Sequence, residues 1–250
     1  MRIDTDFHAA YRGLEIRMKD RAEADGDVFL PNVEPEGPAH HVLIAMEPSL
    51  GRWARSADEA RSKVEDGFRN FLPSDEVSIL HYCIRRYLCG PEERYHITDL
   101  SKGAMHVKDA GLARFERWDR WYPLLQEEID LVATPNARFA AIGKVVAEYL
   151  QRQSFGDFTR VIHYSRQAAS ARNAGIRGHE EDFQGFFGSV SPDDLVTTAE
   201  QVLGAARVPA EIRNKGLSQL KSSSSQLTDS RQKLIFNYKL AFEKIRASRA

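Results

Sequence analysis

The sequence predicts an α/β protein: a three-layer α/β/α sandwich around a central parallel four-stranded sheet, with an N-terminal helix and a helical C-terminal extension. Two observations carry that reading. Short apolar runs at 41–46, 95–98, 137–142 and 159–163 alternate with longer stretches whose apolar residues recur at helical spacing, as strand–helix–strand crossovers require. Beyond residue 177 the strand signals stop and only helical periodicity remains.

In chain order, residues 5–24 place Phe7, Tyr11, Leu14, Ile16 and Met18 among many charges, which predicts an amphipathic helix covering the sheet. The Pro-rich segment 31–38 is a loop that feeds the first strand. Residues 56–71 and 74–88 follow as helices, the first opening on Ser56-Ala-Asp-Glu59 with the residue types and spacing of a capping box. After the second strand comes a helix over 112–131, rich in aromatics (Phe115, Trp118, Trp121, Tyr122). Gly143 ends the third strand and opens the helix 144–153, and the fourth strand follows. Residues 195–206 and 229–247 read as helices, the latter with Leu234, Tyr238, Ala241, Phe242 and Ile245 on one face. The serine run inside 220–226 is the best linker candidate. The chain divides into an α/β domain at 1–190 and a helical extension at 191–250 that packs on the same domain.

Composition narrows the function classes. At 250 residues the chain can bury a substantial core, and its net charge of −1 hides acidic early segments and a basic C-terminal part, so net charge says little about partners. Cys83 and Cys89 sit in a helical segment without further ligands for a closed zinc or iron–sulfur site, and read as ordinary thiols. The start is acidic where a signal peptide would be basic and apolar, and no stretch reaches the length of a membrane span. A cytoplasmic protein with no membrane partner is expected. Nothing in the sequence sets its oligomeric state.

Chemistry concentrates at the strand ends. The first apolar run stops at Met46-Glu47-Pro48-Ser49, the second passes into Thr98-Asp99-Leu-Ser-Lys102, and the last into His163-Tyr164-Ser165-Arg166. In an open parallel sheet these carboxyl ends share one edge, where ligands bind. Each residue also has a plainer reading: Glu47 as a loop acid capping a helix, Asp99 as a turn or N-cap residue, His163 as a satisfied strand-end histidine. From 158 to 178 the chain carries Arg160, Arg166, Arg172 and Arg177 and no acid, separated by small residues such as Ser170 that would let a phosphate approach. From Arg213 onward nine Lys or Arg face only Asp229 and Glu243, a pattern that fits either a solvated helix face or a nucleic-acid contact.

Taken together over 41–172, these three clusters, and the strand and Gly-opened helix at 137–146, resemble the uracil-DNA glycosylase superfamily. That family carries an acid or amide before a proline after its first strand, an Asn-bearing middle motif and a late His-Pro-Ser motif. The resemblance implies a metal-independent, cofactor-free DNA glycosylase that flips a base out of single- or double-stranded DNA and hydrolyses its N-glycosidic bond to leave an abasic site, in antiviral defence or base-excision repair. Glu47 matches the water-activating position and His163 the donor to the departing base. Ser49 and Ser165 match the phosphate-gripping serines, and the 166–172 segment, with Arg166, Ser170 and Arg172, resembles the intercalating loop; Lys102 joins the expected DNA contacts. Met46, Trp53, Phe68 and Asp99 are the expected base-recognition residues, Trp53 and Phe68 by stacking.

The departures matter as much. Asp99 stands in place of the Asn that reads uracil, and an ionised Asp only accepts hydrogen bonds, so a base with an amino group, cytosine or a ring-modified cytosine, is favoured over uracil. Ser49 replaces a bulky tyrosine, which implies a roomier pocket. Tyr164 replaces the proline of the His motif. A non-catalytic nucleic-acid-binding protein on the same fold is the competing expectation. A small-molecule α/β-hydrolase is disfavoured because no Gly-x-Ser-x-Gly turn occurs.

Overall fold

The computed structural model describes residues 5–51, 53–111, 113–206, 208–223 and 227–248. Helix α1 (Thr5–Asp25) leads through β1 (Val28–Phe29) into the first long strand, β2 (Ala39–Ala45), which is followed by β3 (Ser49–Leu50) and α2 (Ala57–Glu65). Next come α3 (Asp75–Cys83), extended by a π-helical turn at Ile84–Leu88, then β4 (Tyr95–Asp99), β5 (Gly103–His106), α4 (Val107–Ala110) and α5 (Arg114–Val132). The chain continues as β6 (Ala133–Ile142), α6 (Lys144–Arg152), β7 (Thr159–Val161), α7 (Ala169–Ala174) and α8 (Glu180–Phe186). It finishes as α9 (Pro192–Ala205), α10 (Ala210–Ser223) and α11 (Asp229–Ala247).

The central sheet is four-stranded, all parallel, in the order β4-β2-β6-β7. Val42, Leu43 and Ile44 are fully buried because β2 is covered on both faces, which is why its sequence is one apolar run rather than an alternation. On one face Leu43, Ala45, Ile97 and Ile142 pack against α3, α9 and α11; on the other Val42, Ile44 and Ala141 pack against α1, α5 and α6. The two faces follow from the strand order. The crossover from β2 to β4 and that from β6 to β7 run in opposite directions, so right-handed connections put their helices on opposite sides. The switch therefore falls between β2 and β6, where the carboxyl ends open a crevice.

The sandwich and its parallel sheet are as the sequence predicts, and four local readings change. The first predicted helix after β2 stops at Glu65, because Gly67 takes φ +98° and Phe71 φ +57°, leaving 68–71 irregular. Ser56 does cap α2, accepting from Glu59 N, while the Glu59 carboxylate reaches Arg55 N rather than closing the box on Ser56. A second, small sheet β1-β5-β3 forms from strands too short to leave a pattern. The serine run expected as a linker is helical through Ser223; 224–226 lie outside the described residues. In α11, Leu234, Ile235, Tyr238 and Phe242 are fully buried in the core beside α3.

Candidate functional site

The register places the predicted residues on one edge. Ala45 pairs with Asp99 at the ends of β2 and β4, and Ile142 pairs with Val161 at the ends of β6 and β7. Glu47 and His163 each lie two residues past their strand, with Gly143 between them in the strand order. Gly143 has φ +99°, a conformation reserved for glycine, and the position its Cβ would take lies 3.6 Å from His163 Cβ. The β6–α6 turn thus lies directly against the histidine.

His163 is half-buried, and its Nδ1 accepts the backbone N–H of Ser165 at 3.0 Å. A backbone amide can only donate, so Nδ1 is the acceptor and the neutral ring carries its proton on Nε2. That nitrogen has no hydrogen-bond partner among the described residues and is not one of the sealed unpartnered atoms, so it is open to a ligand. Burial, helped by the charge of Arg172, lowers the imidazole to about 4. Tyr164 stacks on the ring at 4.5 Å.

Glu47 is held tightly. Its Oε1 takes Arg114 Nε at 3.1 Å and Nη2 at 3.0 Å, its Oε2 takes Trp118 Nε1 at 2.9 Å, and its side chain is 2% exposed. Arg114 and Trp118 are one helical turn apart on α5, which lets both reach one carboxylate. Met46, beside it, is half-buried against the α5–α6 core. Asp99 is buried at the end of β4; its Oδ2 accepts from Asn70 Nδ2 at 2.6 Å, and burial pushes its carboxyl well above the ordinary range.

Two expected DNA contacts face inward. Lys102 is 2% exposed, donates to Glu128 Oε2 at 2.8 Å and bonds Thr98 Oγ1, so its ammonium is spent inside a network that also holds His96 and Tyr11. Arg172 is likewise 2% exposed; it donates to the carbonyls of Tyr164 (2.6 Å) and Ser165 (2.8 Å) and to Ser230 Oγ (2.9 Å), tying the histidine loop to α11. Neither points to where a phosphate can reach. Ser49 and Ser170 are exposed and Ser165 half-buried, while the side chain of Arg166 lies outside the described residues. Trp53 and Phe68 stack on each other at 5.0 Å and 14°, within a satellite core of Leu50, Ala54 and Ala60, rather than standing open as a base platform. Trp53 Nε1 is anchored to Ser49 O at 2.8 Å.

Asn70, Arg114, Trp118 and Glu128 escaped the sequence reading. Only the four-residue spacing of Arg114 and Trp118 offered a signal. Among the described residues no group of three or more His, Cys, Asp or Glu is placed to hold a metal. Burial raises both thiols, Cys89 to about 12, so neither is a ready thiolate. No described helix is long and apolar enough to cross a membrane. Comparison of the chain with protein-family models, with curated proteins and with solved structures returns no match.

Proposed function

We propose that the protein is a DNA glycosylase that hydrolyses the N-glycosidic bond of a flipped base, working from the sheet edge between β2 and β7. One observation carries the reading: an open, neutral imidazole N–H at His163 shares the edge, across the β2–β6 switch point, with an oriented carboxylate at Glu47. Losing a base leaves positive charge on the sugar and negative charge on the base, and the two residues suit the two halves. Glu47, oriented by Arg114 and Trp118, is the carboxylate assigned to the attacking water and the oxocarbenium-like sugar, which must reach a side chain that is 2% exposed. His163 donates from Nε2 to the ring carbonyl of the departing base. Asp99 reads the base edge: as a carboxylate it accepts from the exocyclic amino group of cytosine and its ring-modified forms, and as the acid that its burial favours it donates to a ring carbonyl such as that of uracil.

A second reading is favoured by the clamp on Glu47. With both oxygens bonded, that residue also serves simply to pin α5 to the end of β2, and the protein is then a non-catalytic nucleic-acid binder. Base release from single- and double-stranded oligonucleotides carrying uracil, cytosine or ring-modified cytosine, followed by alkaline cleavage of abasic sites, tests the first reading. Cleavage that vanishes in Glu47→Gln with DNA binding retained supports it; binding without any base release favours the second.

A further inference from the structure

Asn70 lies in the irregular segment after α2 and is placed from two sides. Its backbone N–H donates to Pro31 O at 2.8 Å, and its side-chain Oδ1 accepts from Phe71 N at 3.0 Å. Because the Phe71 amide can only donate, the oxygen of the Asn70 amide faces Phe71 and its nitrogen faces Asp99. The 2.6 Å bond to Asp99 Oδ2 is therefore a donation from Asn70 Nδ2, and Oδ2 is an acceptor in either protonation state. The carbonyl oxygen of a carboxylic acid is the better acceptor, so the Asn70 donation favours a proton on Oδ1. That oxygen has no partner among the described residues and is not one of the sealed unpartnered atoms, so the 4% of Asp99 that remains exposed includes it.

We propose that Asn70 is the positioning residue for base selection: it leaves Asp99 a single open oxygen, which donates as an acid and accepts as a carboxylate, so that the base edge preferred changes with pH. As an acid, Oδ1–H pairs with the carbonyl at ring carbon 4 of uracil-type bases. As a carboxylate, Oδ1 takes the exocyclic amino group of cytosine-type bases. The proposal rests on the glycosylase reading and adds that both substrate classes are accepted, in different pH ranges.

The surroundings pull the carboxyl in both directions, with the raising influences dominant. Burial is the largest influence and favours the acid, as do the negative charges of Glu128 on α5 and Glu47 after β2. Lys102, on the turn after β4 with its Nζ 3.5 Å from Asp99 O, and the Asn70 donor favour the carboxylate. Tyr164, after β7, also faces Asp99 and is itself held neutral by burial.

The test measures base release by the full chain from matched uracil and modified-cytosine oligonucleotides between pH 5.5 and 9.5, in parallel with the carboxyl carbon resonance of Asp99 by NMR. The uracil-to-cytosine ratio is expected to fall by about tenfold or more as pH rises, the size of one good base-edge contact. In Asn70→Ala, which removes a donor to the carboxylate, the midpoint of the ratio and the Asp99 resonance should both move to higher pH. In Asp99→Asn, whose amide does not titrate, the ratio should be flat. Base release with a pH-independent ratio in the native protein overturns the proposal and leaves the glycosylase reading standing. An Asp99 resonance that titrates in the ordinary carboxyl range, or that Asn70→Ala leaves unmoved, overturns it without reference to activity. No base release from any oligonucleotide overturns both, and the NMR titration then reports separately whether Asn70 and Asp99 are coupled.

Discussion

The backbone N–H of Ser165 donates to Nδ1 of His163, and that bond fixes which ring nitrogen carries the proton. A ring oriented this way offers Nε2–H, and burial beside Arg172 keeps it neutral down to about pH 4. Nitrogen-resolved NMR should therefore show the Nε2–H tautomer and a titration near 4 rather than the ordinary value near 6.5. Because the folded value is depressed, His163 contributes stability that is present above about pH 6.5 and is lost as pH falls through about 4. His163→Gln should lower base release by about 10²–10³-fold, as removal of one donor to a developing anion does. A variant that releases base normally removes the residue from the mechanism.

Glu47 is the pivot between the two functional readings. Glu47→Gln keeps an oxygen for Trp118 or Arg114 but loses the ion pair, and Arg114, about a quarter exposed, regains water. The expected loss of stability is about 1.5–3 kcal/mol, the range for a hydrogen bond to a charged group. Chemical denaturation measures that loss, and base release measured alongside should fall by about 10²–10⁴-fold if the carboxylate activates water. A stability loss with unchanged base release would leave Glu47 only its clamping role.

How much of this was legible depends on how far each residue reaches. The main strands were readable because a strand buried on both faces must be apolar throughout, as Val42 to Ala45 are. The shared edge was readable because strands that all run parallel present their carboxyl ends on one side. Partner choice was not. Lys102 and Arg172 look like surface charges in polar segments, yet their partners Glu128 and Ser230 lie 26 and 58 residues away. Asn70 sits in no motif, and its importance appears only once the chain brings it beside Asp99. Trp53 and Phe68 announced an aromatic site, but sequence spacing cannot say whether two rings face a ligand or each other.

The buried pair of Lys102 and Glu128 should control acid stability. Burial by itself would raise the Glu128 carboxyl, but Lys102 at 2.8 Å and His96 at 2.9 Å outweigh it and hold the group at about 2. A carboxyl depressed on folding contributes stability above its unfolded value near 4.3, and that contribution is lost as pH falls through about 2. Denaturant midpoints measured between pH 5 and 2 should fall steeply in the native protein and less so in Glu128→Gln. Either single change, Glu128→Gln or Lys102→Met, strands a buried group and should cost about 3–5 kcal/mol at neutral pH. The double change should recover much of that loss; additive costs would show that the two side chains are not coupled.

The C-terminal helix gives the last test, because its basic composition fits a solvated helix face and a nucleic-acid contact equally well. In the fold, Phe242 is fully buried and stacks on Tyr238 at 5.3 Å, and the Tyr238 hydroxyl donates to Ile162 O at 2.9 Å, one residue before His163. Arg172 ties the same loop to Ser230 at the start of α11. Removing the chain after Leu220 should therefore abolish cooperative unfolding, rather than merely weaken a DNA grip, since it takes away α11 and its buried side chains from the core shared with α3. Phe242→Ala leaves the helix in place and should cost about 3–5 kcal/mol, as large-to-small changes in a packed core do. A truncated chain that still unfolds in one sharp transition, with the His163 resonance unmoved, would show that α11 neither completes the core nor supports the histidine loop.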